Sequence, residues 1–93
     1  MFIGVCRLVL HLPENSSLKG KRKVVKSIVA RVKNKFNVSI AEIEDHDKWQ
    51  KINIGIATIS NDKKHADSIL VNIVSFIENL CLAELIDYEI QIL

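Results

Sequence analysis

The 93-residue chain contains few of the residues that interrupt helices and strands or cross-link small proteins: one proline, three glycines and two cysteines. Cys6 and Cys81 stand at opposite ends of the chain in no metal-ligand spacing, which predicts free thiols. No stretch approaches the roughly 20 apolar residues that cross a bilayer. The first residues lack the basic region and cleavage site of a signal peptide. We therefore expect a cytoplasmic protein that does not interact with membranes.

Motifs for catalysis and cofactor binding are also missing. The segment 13–17 after the first apolar run has no glycine, which argues against a phosphate-cradling loop. The three histidines have no motif around them, so no catalytic residue is predicted and we expect a protein that is not an enzyme. The acidic segment 42–47 supplies oxygens and one imidazole, but it lacks the glycine-containing loop of an EF-hand. No metal site and no other cofactor are expected.

Hydrophobic residues make up 48% of the chain, which suits one domain with one core over residues 1–93. Alternating and helical apolar patterns predict six elements: strands over 2–12, 38–44, 51–60 and 85–93, a helix capped by Ser17 that runs to Phe36, and a second helix capped by Asn61. The order β-α-β-β-α-β predicts a ferredoxin-like α+β sandwich, in which a four-stranded antiparallel sheet carries both helices on one face.

The sheet face without helices is expected to be unusually apolar. Alternation along the first strand places Ile3, Val5 and Val9 on this face, and Ile59 of the third strand joins them. A contiguous exposed apolar patch usually marks an interface. The sequence therefore predicts a homodimer that forms through this face.

Positive charge is concentrated in the first predicted helix, which holds eight of the 13 basic residues and no acidic residue. Because the whole chain carries +2, the helix at +8 leaves −6 on the remainder. Like-charged pairs such as Lys19/Lys23 destabilise a helix, so folding does not require this pattern. It indicates contact with an anionic partner. The predicted contacts are Lys19, Lys21, Arg22, Lys23, Lys26 and Arg31.

An intramolecular alternative stays open at this point. In the predicted fold the start of the first helix lies at the same end as the acidic turn between the second and third strands. Carboxylates of Glu42, Glu44 and Asp45 could neutralise the helix there. For Trp49, which follows this turn, a contact role competes with packing against the hairpin end, and packing is the role we expect.

Short motifs spread over the whole chain resemble a known family. They are Gly4-Val5-Cys6, Leu10-His11-Leu12, Ser17-Leu18-Lys19, Lys21-Arg22, Phe36-Asn37-Val38-Ser39, Ala41-Glu42, Trp49-Gln50, Ser60-Asn61-Asp62 and Asp87-Tyr88-Glu89-Ile90. Together they are similar to the YlxP-like small bacterial proteins. The resemblance implies a ferredoxin-like fold and, because the genes typically lie among those for translation and ribosome maturation, a role with RNA or the ribosome. It implies no catalytic residues.

Two main hypotheses follow from these observations, and a third, an enzyme or a small-ligand sensor, is kept only as an outsider. The first is a small binding protein that contacts phosphates of RNA or of a ribosomal subunit through the basic helix. The second is a homodimeric interaction module that acts through the open sheet face.

Overall fold

A computed structural model describes all 93 residues, Met1–Leu93, and confirms the predicted order of elements. The elements are β1 (Phe2–His11), α1 (Leu18–Lys35), β2 (Ser39–Glu44), β3 (Lys51–Ser60), α2 (Lys63–Asn79) and β4 (Glu84–Ile92). Neither helix is long and apolar enough to cross a membrane.

The four strands form one antiparallel sheet in the order β2-β3-β1-β4. β1 and β3 lie at the centre and pair along their whole length, from Phe2 opposite Ser60 to His11 opposite Lys51. One hydrophobic core joins both helices to the same side of β1. The chain therefore has the ferredoxin-like α+β fold, with one face of the sheet covered by helices and the other open.

The core lies between the sheet and the two helices, as the strand alternation predicts. Leu8 and Leu10 of β1 are buried there with Ile54 of β3, and α1 and α2 contribute Ile28 and Leu70. Cys6 belongs to the same layer, and burial raises the pKa of its thiol to about 11. The thiol therefore stays protonated and weakly reactive at neutral pH. Cys81 is exposed, and both cysteines are free.

The two helices begin at side-chain caps. The Ser17 hydroxyl accepts a hydrogen bond from the backbone N–H of Gly20 at 3.0 Å, as predicted. α2 is capped by Asp62, whose carboxylate accepts from the N–H of Lys64 at 3.0 Å. The predicted cap, Asn61, lies one residue too early. A carboxylate is the better group at this position because it also interacts favourably with the positive end of the helix dipole.

Candidate nucleic-acid interface

The positive residues of α1 separate onto different sides of the helix. At about 100° per residue, one side collects the four buried residues, Lys21, Val25, Ile28 and Val32. Five exposed cations lie within an arc of about 100° on the solvent-facing part of the helix, with Arg22 at the edge nearest the buried side. We call them the basic stripe: Lys19, Arg22, Lys23, Lys26 and Lys33. Along the helix axis the stripe extends about 21 Å from its first to its last residue, at 1.5 Å per residue.

No side chain of the basic stripe is paired with a carboxylate. Ion pairs within 4.0 Å occur at five places in the chain, and only one of them involves α1, through Lys21. The carboxylates of Glu44 and Asp45 at the hairpin turn pair with cations outside α1. Glu44 pairs with Arg7 at 2.9 Å, and Asp45 pairs with Lys48 and Lys51. The intramolecular alternative therefore does not account for the basic stripe.

Lys21 does not belong to the interface predicted from the sequence. Its side chain is 1% exposed, and its ammonium lies 2.9 Å from Oε2 of Glu42 and donates to the backbone carbonyl of Asp45. Oε2 of Glu42 is buried and accepts no well-aligned hydrogen bond, so charge attraction holds this pair. An ammonium enclosed in this way cannot reach a phosphate. For this one residue, the intramolecular alternative is correct.

Two further cations flank the stripe. Arg31 is exposed about 80° around the helix from Lys23, and its Nε donates to the Ser27 hydroxyl at 3.1 Å. Lys35 lies over the Phe76 ring, 4.8 Å from its centre, which is cation–π geometry. Lys33 was missed in the sequence prediction, although its spacing of seven residues from Lys26 places it on the same side.

The turn between β2 and β3 is held by its own charges. Asp45 adopts a left-handed conformation, φ 57°, and its carbonyl accepts from the N–H of Lys48 at 3.0 Å. The hydrogen bond from the Lys48 side chain, aided by the charges of Lys48 and Lys51, lowers the pKa of the Asp45 carboxyl from its ordinary 3.8. A depressed folded pKa means that the carboxylate stabilises the fold above about pH 4, and that this contribution is lost as the pH falls through the folded value.

The predicted absence of a metal site stays a prediction. Within the acidic turn, Glu44 is engaged by Arg7, and His46 Nε2 lies 3.2 Å from the backbone carbonyl of Glu42. No group of three or more His, Cys, Asp or Glu side chains comes together as a metal ligand set.

A set of side-chain hydrogen bonds fastens the hairpin end to the start of α1. Nδ2 of Asn15 donates to the carbonyl of Ser17 at 2.7 Å and to the carbonyl of Trp49 at 2.5 Å. Nε2 of Gln50 donates to the carbonyls of Pro13 and Asn15 at 3.2 and 3.1 Å. We call this set the hairpin clasp: the side chains of Asn15 and Gln50 with the four carbonyls that they contact.

The hairpin clasp leaves no room for a side chain at Gly20 in the first turn of α1. A Cβ atom at this position would collide with Oδ1 of Asn15. Glycine inside a helix costs about 1 kcal/mol relative to alanine, and here the missing side chain leaves room for the Asn15 amide. The expectation that Trp49 packs against the hairpin end is wrong, because the residue is 53% exposed.

The open sheet face is only partly apolar. Ile3 and Val5 of β1 lie opposite Ile59 and Ala57 of β3, and together they form an apolar end where Ile59 is 67% exposed. Val9 lies on the same face but is separated from this end by Arg7. The Arg7 guanidinium contacts Glu44 and, at 3.3 Å, Oδ1 of the buried Asn53. Of the four predicted interface residues, the structure brings three together.

The fold and this surface define a ferredoxin-like α+β domain whose first helix presents an unpaired cationic stripe. The chain belongs to the DUF503 family, described as "Protein of unknown function", whose family model matches residues 3–90. The uncharacterized protein YlxP of Bacillus subtilis (strain 168) is 40% identical over 74 residues, which cover 80% of this chain and 78% of that protein. The resemblance inferred from the short motifs is thereby confirmed.

Solved structures support the fold alone. The de novo designed protein Foldit4 superposes with a TM-score of 0.56 at 17% identity, covering 100% of this chain and 97% of the design. A second de novo design, LFR1 1, which has a ferredoxin fold, gives a TM-score of 0.52 at 14% identity, and the match covers 100% of this chain and 83% of the design.

Proposed function

We propose that the protein is a small non-enzymatic binding protein of the cytoplasm that contacts the phosphates of RNA, free or within a ribosomal subunit. The contacts are made by the basic stripe, with Arg31 at its flank. The observation that supports the proposal is the set of five exposed cations on one side of α1, none of which has a carboxylate within 4.0 Å. Their charges are therefore available to an external anion.

The shape of the stripe favours a polyanion over a single small anion. Its cations recur along about 21 Å of a stiff helix, so a partner must present negative charges at several points over that length. A nucleic-acid backbone does this with phosphates. RNA is the preferred polyanion because the family resemblance implies a role in translation. The small side chains Ser27, Ala30 and Asn34 between the cations allow a backbone to approach closely.

Salt dependence tests this proposal directly. About four phosphate contacts release counterions with a slope of ~0.9 each, so affinity for a structured RNA should fall roughly 10²-fold between 50 and 200 mM salt. We expect little preference for sequence, because phosphate contacts carry no base information. The measurement is fluorescence anisotropy of a labelled RNA hairpin across a salt series.

Two results would contradict the proposal. One is an affinity that does not change with salt, which would show that phosphates are not the main contacts. The other is no binding at 50 mM salt. Sedimentation with purified ribosomal subunits at the same salt concentrations shows whether the RNA is recognised within a particle.

A second copy of this chain is the candidate partner for the open sheet face. The apolar end around Ile3, Val5 and Ile59 is continuous across the two central strands. In a two-fold dimer this patch would meet itself, since an isologous interface uses the same surface on both subunits. A stable interface buries about 800 Å² per partner, and the whole chain exposes 5868 Å². One face of a four-stranded sheet, about 19 Å wide at 4.8 Å per strand, provides area of this order.

Substitution of Val5 by lysine should weaken this dimer. The wild-type chain is expected to give the mass of a dimer by light scattering at micromolar concentration. Val5→Lys should raise the dissociation constant of the dimer tenfold or more. The change places a charge in the apolar end, on the sheet face opposite the helices, so the helical circular dichroism should stay the same. The matched control is Asn72→Lys on the exposed side of α2. A wild-type monomer at 100 µM would exclude the dimer.

A further inference from the structure

We propose that Trp49 is a stacking platform for an unpaired base that flanks the RNA segment bound by the basic stripe. This inference rests on the proposed function and names the part of the RNA that the same surface recognises. The ligand is a junction between a paired RNA segment and a single-stranded nucleotide, a loop or an overhang.

Trp49 combines an exposed ring with a fixed backbone. The residue is 53% exposed, whereas the segment that carries it is held by the hairpin clasp and by the N–H of Leu12, which donates to the carbonyl of Gln50 at 2.9 Å. Large aromatic side chains contribute most to stability when they are buried. Here the hairpin is secured through hydrogen bonds from Asn15 and Gln50 rather than through burial of the indole.

The hairpin clasp also ties Trp49 to the start of the basic stripe. One nitrogen, Nδ2 of Asn15, contacts the carbonyl oxygens of Ser17 at 2.7 Å and of Trp49 at 2.5 Å. These two oxygens therefore lie within about 5 Å of each other by the sum of the two contacts. Ser17 caps α1, and Lys19 is the second residue of that helix. The backbone of residue 49 therefore lies next to the first turn of α1, which carries Lys19.

An exposed indole, on a segment whose backbone is tied to the start of a cationic helix, matches the chemistry of single-stranded RNA. Unpaired bases are recognised by stacking on aromatic side chains, while the neighbouring phosphates are held by cations. Every base offers a π face, so stacking on one tryptophan discriminates unpaired from paired nucleotides without reading a sequence.

The test compares two RNAs that differ only in an unpaired end. One is a blunt hairpin, and the other is the same hairpin with a three-nucleotide overhang. Trp49 is the only tryptophan of the chain, so its fluorescence reports on the indole alone when excited at the red edge of its absorption. We expect the overhang RNA to bind more tightly than the blunt RNA and to quench the tryptophan emission, and the blunt RNA to leave the emission nearly unchanged.

Substitutions separate this inference from the proposed function. Trp49→Ala should lose roughly 5- to 150-fold in affinity for the overhang RNA and stay within about twofold for the blunt RNA. Trp49→Phe should retain most of the affinity because it retains a ring. Tyr88→Ala removes another exposed aromatic residue, on β4, and is the matched control that should leave both affinities unchanged.

Two outcomes overturn the inference, and they are distinguishable. If both RNAs bind equally and Trp49→Ala has no effect, the stacking role of Trp49 is contradicted, whereas the proposed phosphate contacts are not. No binding of either RNA at 50 mM salt removes the proposed function together with the inference.

Discussion

Replacement of Lys19 and Lys26 by glutamate is expected to weaken RNA binding by roughly 10²-fold at 0.1 M salt while making the protein more stable. Both residues lie on the basic stripe, and neither has a carboxylate partner. Each phosphate contact adds a slope of about 0.9 to the plot of log affinity against log salt concentration. At 0.1 M salt, one log unit below 1 M, loss of one contact therefore lowers the association constant by about 0.9 log units. Two lost contacts give the expected factor, and repulsion between the new carboxylates and phosphates adds to it.

The double substitution stabilises the helix because it changes two like-charged pairs on α1 into pairs of opposite charge. In the wild type, Lys19/Lys23 and Arg22/Lys26 are like-charged pairs four residues apart on α1. The double substitution gives each pair one carboxylate and one cation, so a repulsion becomes an attraction in two pairs that contribute ~0.2–0.5 kcal/mol each. A carboxylate at position 19 also suits the first turn of the helix. Together these effects amount to about 1 kcal/mol, or roughly 4–8 °C in Tm for a domain of this size.

Lys63→Glu/Lys64→Glu is the matched control. These two residues are exposed in the first turn of α2, and the double change alters the net charge by the same four units. It should reduce RNA affinity much less, because the charges lie outside the stripe. Thermal unfolding and anisotropy are measured on the same preparations.

Equal losses of affinity in the two double variants would show that net charge, and not the basic stripe, drives the binding. A Lys19→Glu/Lys26→Glu variant that melts at a lower temperature would show instead that these lysines stabilise the fold through contacts within the molecule. Only a loss of affinity combined with an unchanged or higher Tm agrees with the proposal.

Most of the fold could be predicted because its signals are local. Alternation marked β3 correctly at both ends, and the helical spacing of apolar residues with the Ser17 cap marked α1 to within one residue. β4 shows the limit of such patterns. Its register with β1 shifts between Val9 and Leu10, and no residue of the segment 84–92 signals this bulge.

The site was predicted less completely, because side-chain partners depend on contacts that are distant in the sequence. Lys21 follows the same spacing as Val25, Ile28 and Val32, so its position on the buried side was available from the pattern. What the pattern lacked was its partner, Glu42, 21 residues later on the helix-covered side of β2. A lysine is rarely buried without such a partner, and residue type alone therefore placed it at the surface.

The hairpin clasp was out of reach of sequence patterns for the same reason. From the sequence alone, Gly20 is a residue that lowers the stability of a helix, and Asn15 is an ordinary loop residue. Each of them gains its role only where the segment around Trp49, distant in the sequence, meets the loop before α1 at the same end of the sheet. The consequence for the proposed RNA contact is direct, because the clasp holds the backbone of the exposed Trp49 next to the first turn of α1.

Lys21→Met is expected to destabilise the protein by about 3 kcal/mol, or roughly 15 °C in Tm, without changing its affinity for RNA. Methionine fills a similar volume, but it leaves the Glu42 carboxylate without its counter-ion in a site where the Glu42 side chain is only 15% exposed. Removal of one partner of a buried pair is costly because the remaining charge is uncompensated. The measurement is urea unfolding together with RNA anisotropy.

The double variant Lys21→Met/Glu42→Leu and the single variant Lys19→Met complete this test. Removal of both buried charges should recover most of the lost stability, since a well-packed apolar pair can replace a buried ion pair at little cost. Lys19→Met changes the same residue type at an exposed position two residues away, and it should leave stability within about 0.5 kcal/mol and weaken RNA binding by roughly tenfold. The two lysines should thus show opposite behaviour. If Lys21→Met instead kept its stability and lost its affinity, the ammonium would have to reach the RNA, and the buried pair with Glu42 would not describe the protein in solution.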